Sequence, residues 1–166
     1  MSGLRHWSFC VTNTSEPYPI FNKDFREFAE LLNANAVEYL IVGGYAMMAH
    51  GHPRYTGDID FWVKQERNNI RSLLRALDAF GFRSVGLTLE DFEKPEAVVQ
   101  LGFPPARIDL MVSIEGVVFD EAYQARLDVT IDGLALHIIG LAEFIRNKTA
   151  LNRPKDIGDI MALTGS

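Results

Sequence analysis

A pair of glycines followed by a pair of aspartates constrains this chain more than any other feature of its sequence. The apolar run Val37–Val42 predicts a buried strand that leads into Gly43-Gly44, and Asp58-Ile59-Asp60 follows after thirteen further residues. Glycines at the junction of a strand and a helix leave bare backbone amides, which can hold a phosphate. Side chains alternate along a strand, so both aspartates lie on one face, where paired carboxylates can hold Mg²⁺. Together the two motifs predict phosphoryl or nucleotidyl transfer.

A third acid, Asp109, lies between aliphatic residues in the predicted strand Arg107–Val112. Because Ile108 and Leu110 face the core, Asp109 faces the other way. If this strand lies beside the first pair of acids, three carboxylates converge, and their mutual repulsion calls for cations. The cluster therefore predicts bound Mg²⁺ or Mn²⁺, and Asp109 could also take the proton from an attacking hydroxyl. The alternative is three unrelated strand-edge acids that accept surface hydrogen bonds.

Composition narrows the class of protein. The chain has 166 residues, 48% of them hydrophobic, which suits one globular domain with a full core. Its formal net charge of −6 argues against binding to extended duplex nucleic acid. The single cysteine, Cys10, excludes an internal disulfide, which suits a reducing cytoplasm. No apolar run approaches the roughly 20 residues that span a bilayer, so neither a membrane span nor a signal peptide is expected.

The periodicities predict an α+β domain over residues 21–166, with a mixed twisted sheet flanked by helices. Residues 1–20 show no period and are interpreted as an N-terminal extension. Apolar stripes predict helices that begin near Asn22 and near Ile70. The other expected elements are a short helix over 45–50, hairpins over 97–112 and 127–138, and closing helices over 141–151 and 155–163.

The order of Gly43-Gly44, Asp58-Ile59-Asp60 and Ile108-Asp109-Leu110 resembles the polymerase-beta-type nucleotidyltransferase superfamily. The resemblance covers Val37–Leu163 and implies the nucleotidyltransferase fold. In that superfamily the first two acids bind two divalent metals that carry a nucleoside triphosphate, and the third shares a metal and activates the acceptor. The resemblance therefore implies metal-binding and catalytic roles for Asp58, Asp60 and Asp109. It also implies that Gly43 and Gly44 hold the phosphates.

Two further segments sharpen this resemblance. Arg54-Tyr55-Thr56-Gly57-Asp58 and the closing segment Lys148–Ile160 resemble a small bacterial branch of the superfamily, which includes the type IV abortive-infection toxins. The Thr56 hydroxyl is expected to hold the loop before Asp58.

Lys148 falls inside the apolar stripe of its helix, so it must either snorkel to solvent or reach a cleft, and the cleft is the favoured interpretation. Arg54, Arg153 and Lys155 are expected to join Lys148 on the triphosphate. The alternative for the last two is an ordinary helical ion pair, Arg153 with Asp156 and Lys155 with Asp159.

Two classes of function stay open. The first is a metal-dependent enzyme that moves a nucleoside monophosphate from an NTP to a hydroxyl of an RNA end, a protein side chain or a small molecule such as an antibiotic. The acidic balance favours a small acceptor. The second is a non-catalytic nucleotide-binding module of the same fold, and a toxin of a toxin–antitoxin pair is a further alternative. Acceptor contacts are expected from residues 1–20, from the loop over 86–96 or from a second subunit of a homodimer.

Overall fold

Seven strands form one mixed sheet in the computed structural model of the chain, which describes residues 5–6 and 22–165. The strands are β1 Arg5–His6, β2 Tyr39–Val42, β3 Asp58–Val63, β4 Val98–Leu101, β5 Arg107–Met111, β6 Leu127–Ile131 and β7 Leu134–Ile138. The helices are α1 Lys23–Ala34, α2 Gly43–Ala49, α3 Arg67–Phe80, α4 Phe119–Gln124, α5 Leu141–Leu151 and α6 Pro154–Thr164. Two short 3₁₀ helices, Arg83–Val85 and Leu89–Phe92, follow α3. The α+β class expected from the sequence is confirmed.

The spatial order of the strands is β1-β6-β7-β2-β3-β5-β4. β3 lies between β2 and β5, antiparallel to β2 and parallel to β5. The register pairs Asp60 with Val42 on one side and with Asp109 on the other. The end of β2 and the beginnings of β3 and β5 therefore meet at one place, and all three sequence-predicted acids lie there.

Most of the expected extension over residues 1–20 lies outside the described residues. Its described pair of residues, β1, runs parallel to β6 at the edge of the sheet. Within the described part of the chain, no helix combines the length and the apolar content that crossing a membrane requires.

One face of the sheet is covered by α1 and α3. The Asn22 side chain caps α1 by accepting a hydrogen bond from the Asp24 amide at 2.7 Å. Phe28 of α1 packs edge-on against Phe61 of β3, with ring centroids 5.3 Å apart. The helix α3 ends at Phe80 and is capped by Gly81 in the left-handed conformation, as its apolar stripe and glycine predict.

Several element boundaries differ by one or two residues from the sequence-based expectation, and the exposure of β3 varies along its length. β2 begins at Tyr39 rather than Val37, because the Val37 amide donates to the Leu32 carbonyl at the end of α1. α2 begins at Gly43 itself, so the glycines are the first helical turn. The acid-bearing face of β3 is open only at its start, since Trp62 further along is buried against Phe119 of α4.

Candidate active site

Asp58, Asp60 and Asp109 converge at the start of β3 and β5. Each offers one carboxylate oxygen, and these oxygens lie within 4.8 Å of one another. The convergence follows from two facts of strand geometry. The alternation along β3 puts Asp58 and Asp60 on one face, and the parallel register places Asp109 beside Asp60 on that same face.

Arg107 is the main cation inside this cluster, and sequence reasoning assigned it no role. Its Nη2 donates to Asp58 Oδ2 at 2.6 Å and to Asp109 Oδ2 at 3.0 Å, while its Nε donates to Asp109 Oδ1 at 2.8 Å. The sequence signal that could have identified it is its position two residues before Asp109, which puts both side chains on the same face of the strand. The guanidinium thus neutralises part of the charge that three carboxylates bring together.

Thr56 fixes the first acid. Its hydroxyl lies 3.1 Å from the Asp58 carbonyl oxygen and 3.0 Å from Asp58 Oδ1, within hydrogen-bonding distance of both. The expected role of this hydroxyl in holding the loop before β3 is therefore visible in the geometry. Asp58 is left with both carboxylate oxygens engaged, one by Thr56 and one by Arg107.

Asp60 has a different environment from its two neighbours. Its carboxylate accepts no hydrogen bond from the described residues. Burial, together with the negative charges of Asp58 and Asp109, raises the pKa of Asp60 from 3.8 to about 7. The positive charges of Arg107 and Lys155 offset this rise only in part. Asp60 is therefore the acid whose ionised form most needs a further cation.

The two glycines are required by close contacts as well as by backbone shape. Gly43 has φ +69°, and a Cβ there would stand 2.2 Å from Asp60 Oδ2. At Gly44 a Cβ would meet the Thr56 side chain at 3.0 Å. The first turn of α2 therefore packs directly against the second acid and against the residue that holds the first. Its amides begin the helix at that point, the arrangement expected of a phosphate cradle.

Gly43→Ala is expected to weaken Mn²⁺ binding at least tenfold and to lower the melting temperature, because the added methyl displaces the Asp60 carboxylate. Gly51→Ala is the matched control, since Gly51 has φ +94° and nothing lies within 4 Å of its would-be Cβ. Both variants carry the left-handed backbone strain of about 1–2 kcal/mol, so only the contact with Asp60 separates them. Equal Mn²⁺ affinities of the two variants by isothermal titration calorimetry would show that the contact between residue 43 and Asp60 has no effect on metal binding.

A cleft of about 730 Å³ opens beside the acids, which is ample for a nucleotide. It is lined by every sequence-predicted site residue other than Asp109, namely Gly43, Gly44, Arg54, Asp58, Asp60, Lys148, Arg153 and Lys155. Tyr55 also lines it with 80% of its surface exposed, and sequence reasoning assigned that side chain no role. The cleft is thus lined by both acidic and basic side chains, the latter including Lys148 of α5 and Lys155 of α6.

Lys148 reaches the cleft wall and is almost completely buried there within an ion-pair network. Its Nζ lies 2.7 Å from Asp159 Oδ2 and 3.6 Å from Asp156 Oδ1, above the ring of Phe144. Arg54 Nη1 lies 2.5 Å from the other oxygen of Asp159. The network connects the loop before β3 to both closing helices, so it positions the loop that leads to the first acid.

Arg153 and Lys155 were each expected either to bind the triphosphate or to form a helical ion pair, and they differ in the structure. Arg153 makes the helical ion pair, with its Nε 2.6 Å from Asp156 Oδ2. Lys155 makes no ion pair with Asp159 or any other described residue, and its charge acts on Asp60 instead. The reason is that Asp159 is already taken by Lys148 and Arg54.

The donor set fits a divalent cation. All three acids offer carboxylate oxygens, the hard ligands that Mg²⁺ and Mn²⁺ prefer. Burial, followed by the charges of Asp58 and Asp109, raises the pKa of Asp60, and a bound cation would favour its ionised form. The residues that would hold the ion are the three acids themselves.

The fold resembles two solved structures. One is a protein of Thermotoga maritima described as a "putative nucleotidyltransferase", with a TM-score of 0.55 and 13% identity over 84% of this chain and 89% of that one. The other is an antigenic nucleotidyltransferase-like protein of Paracoccidioides brasiliensis, with a TM-score of 0.52 and 19% identity over 87% of this chain and 78% of that one. At such identities the likeness shows a shared fold alone.

No curated protein matches the chain. A family profile does match it, over nearly all of the described residues and across every element that builds the site. Residues 22–164 match the family described as "Nucleotidyltransferase of unknown function (DUF6036)", and the chain belongs to that family.

Proposed function

We propose that the protein is a metal-dependent enzyme that transfers a nucleoside monophosphate from an NTP to a hydroxyl acceptor. The observation that carries this proposal is the three-carboxylate cluster at the edge of a nucleotide-sized cleft that basic side chains also line. A structural ion-pair cluster would leave no acid without a donor, yet Asp60 accepts no hydrogen bond from the described residues. This difference supports a role for Asp60 in binding an added cation.

The side chains have distinct tasks in this scheme. The amides of α2 at Gly43 and Gly44 hold phosphate oxygens, and Lys155 contributes a charge not paired within the described residues. Asp58, Asp60 and Asp109 hold divalent cations, which when bound neutralise the triphosphate and lower the pKa of the acceptor hydroxyl. The acceptor oxygen bonds to the α-phosphorus, the bond from that phosphorus to the bridging oxygen breaks, and pyrophosphate leaves. The hydroxyl proton passes to Asp109.

The acids in the cleft favour a small, positively charged acceptor with hydroxyl groups over an RNA end. Besides the three-carboxylate cluster, the exposed acids Glu96 and Glu115 line the cleft, and Tyr55 offers an exposed ring. Acids that line the acceptor's binding surface would repel a phosphate backbone and attract amines. Glu96 ends the loop over 86–96, which is one of the segments expected to contact the acceptor.

A non-catalytic nucleotide-binding module is the second candidate, and one observation favours it. Both oxygens of Asp109, the acid expected to take the proton, accept hydrogen bonds from Arg107. If that contact is permanent, the protein binds NTP without turning it over. A toxin that modifies RNA or protein is a variant of the first candidate, and it differs only in acceptor.

The test is transfer of label from each of the four α-labelled NTPs with Mg²⁺ to the small-molecule, RNA and protein fractions of a cell extract. Label in the small-molecule fraction, absent with Asp60→Asn, is the expected result. Label in RNA or protein, with growth arrest on expression, would instead identify a toxin-like acceptor. Mg²⁺-dependent NTP binding without label in any fraction would favour the binding module.

A further inference from the structure

Arg107 uses the same carboxylate oxygens that a metal ion would need. It donates to both oxygens of Asp109 and to one oxygen of Asp58, at 2.6 to 3.0 Å. The remaining oxygen of Asp58 lies 3.0 Å from the Thr56 hydroxyl. Two of the three acids therefore have all their oxygens engaged by the protein's own donors.

Asp109, both of whose oxygens accept hydrogen bonds from Arg107, is nearly buried. Asp109 is only 6% exposed and does not line the cleft, although its two partner acids do. Arg107 itself is a surface-reaching side chain, 27% exposed, and is not part of the hydrophobic core. Release of the guanidinium would therefore break its hydrogen bonds to the two acids without removing a side chain from the hydrophobic core.

We infer that Arg107 is an internal cation that competes with the divalent metal for Asp58 and Asp109, so that metal loading and release of the guanidinium are one linked event. The inference rests on the proposed function only through the metal site. In this arrangement Arg107 keeps the carboxylates of Asp58 and Asp109 in register, and the acid expected to act as base is withheld until metal arrives. A site of this kind binds metal weakly by itself.

Two physical effects make the guanidinium and the metal ion compete. Both are positively charged, and both would use the same carboxylate oxygens. A guanidinium within about 3 Å of two carboxylates repels an incoming dication and must give up charge-assisted hydrogen bonds, which are the strong kind. The opposite arrangement is an arginine that stays in place and orients the carboxylates while they bind metal, since each oxygen has more than one lone pair. The two arrangements predict changes of opposite sign in metal affinity when the arginine is removed.

The experiment measures Mn²⁺ affinity without nucleotide, from the electron paramagnetic resonance signal of free Mn²⁺, for the wild type and Arg107→Gln. Competition predicts that the dissociation constant falls about tenfold or more in the variant. Arg126→Gln is the matched control. Arg126 is likewise 27% exposed and pairs with the acid two residues later, Nε to Asp128 Oδ1 at 3.0 Å, away from the cluster. Its affinity for Mn²⁺ should equal that of the wild type.

Arg107→Lys covers the case in which the glutamine variant does not fold, because it keeps the charge and loses the fork that spans both carboxylates. Competition predicts tighter Mn²⁺ binding here too, by a smaller factor. Weaker or unchanged affinity in the folded variants would overturn the inference while leaving the metal site and the proposed function in place. If neither the wild type nor any Arg107 variant binds Mn²⁺, the metal requirement of the proposed function fails, and this inference fails with it.

Discussion

Asp60→Asn should abolish nucleotidyl transfer and yet raise the free energy of unfolding of the protein in EDTA at pH 8. The loss of transfer follows from the loss of a carboxylate that holds cations. The gain in stability follows from the environment of Asp60, where burial and the charges of Asp58 and Asp109 oppose ionisation. An asparagine side chain has nearly the same shape and is neutral, so the variant does not carry the energetic cost of an ionised carboxylate at this buried position.

The pH dependence of this gain has a definite sign. The pKa of Asp60 is about 7 in the folded protein against 3.8 ordinarily, so between those values the folded state binds the proton more tightly than the unfolded state. Wild-type stability therefore falls as pH rises from about 4 to about 7, by an amount on the order of 2–4 kcal/mol. The advantage of Asp60→Asn is complete above pH 7 and disappears as pH is lowered towards 4.

Asp58→Asn is the matched control for that experiment. It should also abolish transfer, but it loses the ion pair with Arg107 and changes the carboxylate that faces Thr56, so its stability should fall. Urea unfolding at pH 5 and pH 8 in EDTA measures both variants. If Asp60→Asn is less stable than the wild type at pH 8, its carboxylate is stabilised by contacts other than those described.

The parts of the site that lie close together along the chain could be predicted from the sequence. Alternation placed Asp58 and Asp60 on one face, and the glycines marked where β2 ends. The two hairpins followed from their turn residues, and the Asp132-Gly133 turn has both residues at positive φ, the conformation that this pair favours. Such features depend on local backbone chemistry, which sequence patterns report directly.

The pairing of charges could not be predicted in the same way. Arg107 and Asp58 are 49 residues apart, and Arg54 and Asp159 are 105 apart. Helical spacing predicted an ion pair between Lys155 and Asp159. In the folded protein Asp159 pairs with Lys148 and Arg54 instead. When several basic residues compete for one buried acid, the packing of whole helices decides the partner, and no local pattern contains that information.

Asp159→Asn is expected to destabilise the protein by about 3–5 kcal/mol, because it removes the shared partner of two cations, one of them buried. Lys148 has only 4% of its side chain exposed and would keep only Asp156, 3.6 Å away. Arg54 would lose its anchor, and the loop that presents Asp58 would be held less firmly. Asp120→Asn is the control, since Asp120 pairs with Lys64 while 70% exposed and should contribute at most about 1 kcal/mol.

The pH dependence of Asp159 has the opposite sign to that of Asp60. Burial by itself raises the pKa of Asp159, but hydrogen bonds from Lys148 and Arg54 outweigh it and bring the pKa below its usual value. The stability that this acid contributes is therefore present above the unfolded pKa near 3.8 and is lost as pH falls through the lower folded value. Urea unfolding at pH 7 should show the full deficit of Asp159→Asn, and acid should narrow it. A deficit below about 1 kcal/mol, with only the KM for NTP changed, would mean that Lys148 and Arg54 serve the triphosphate rather than the architecture of the cleft.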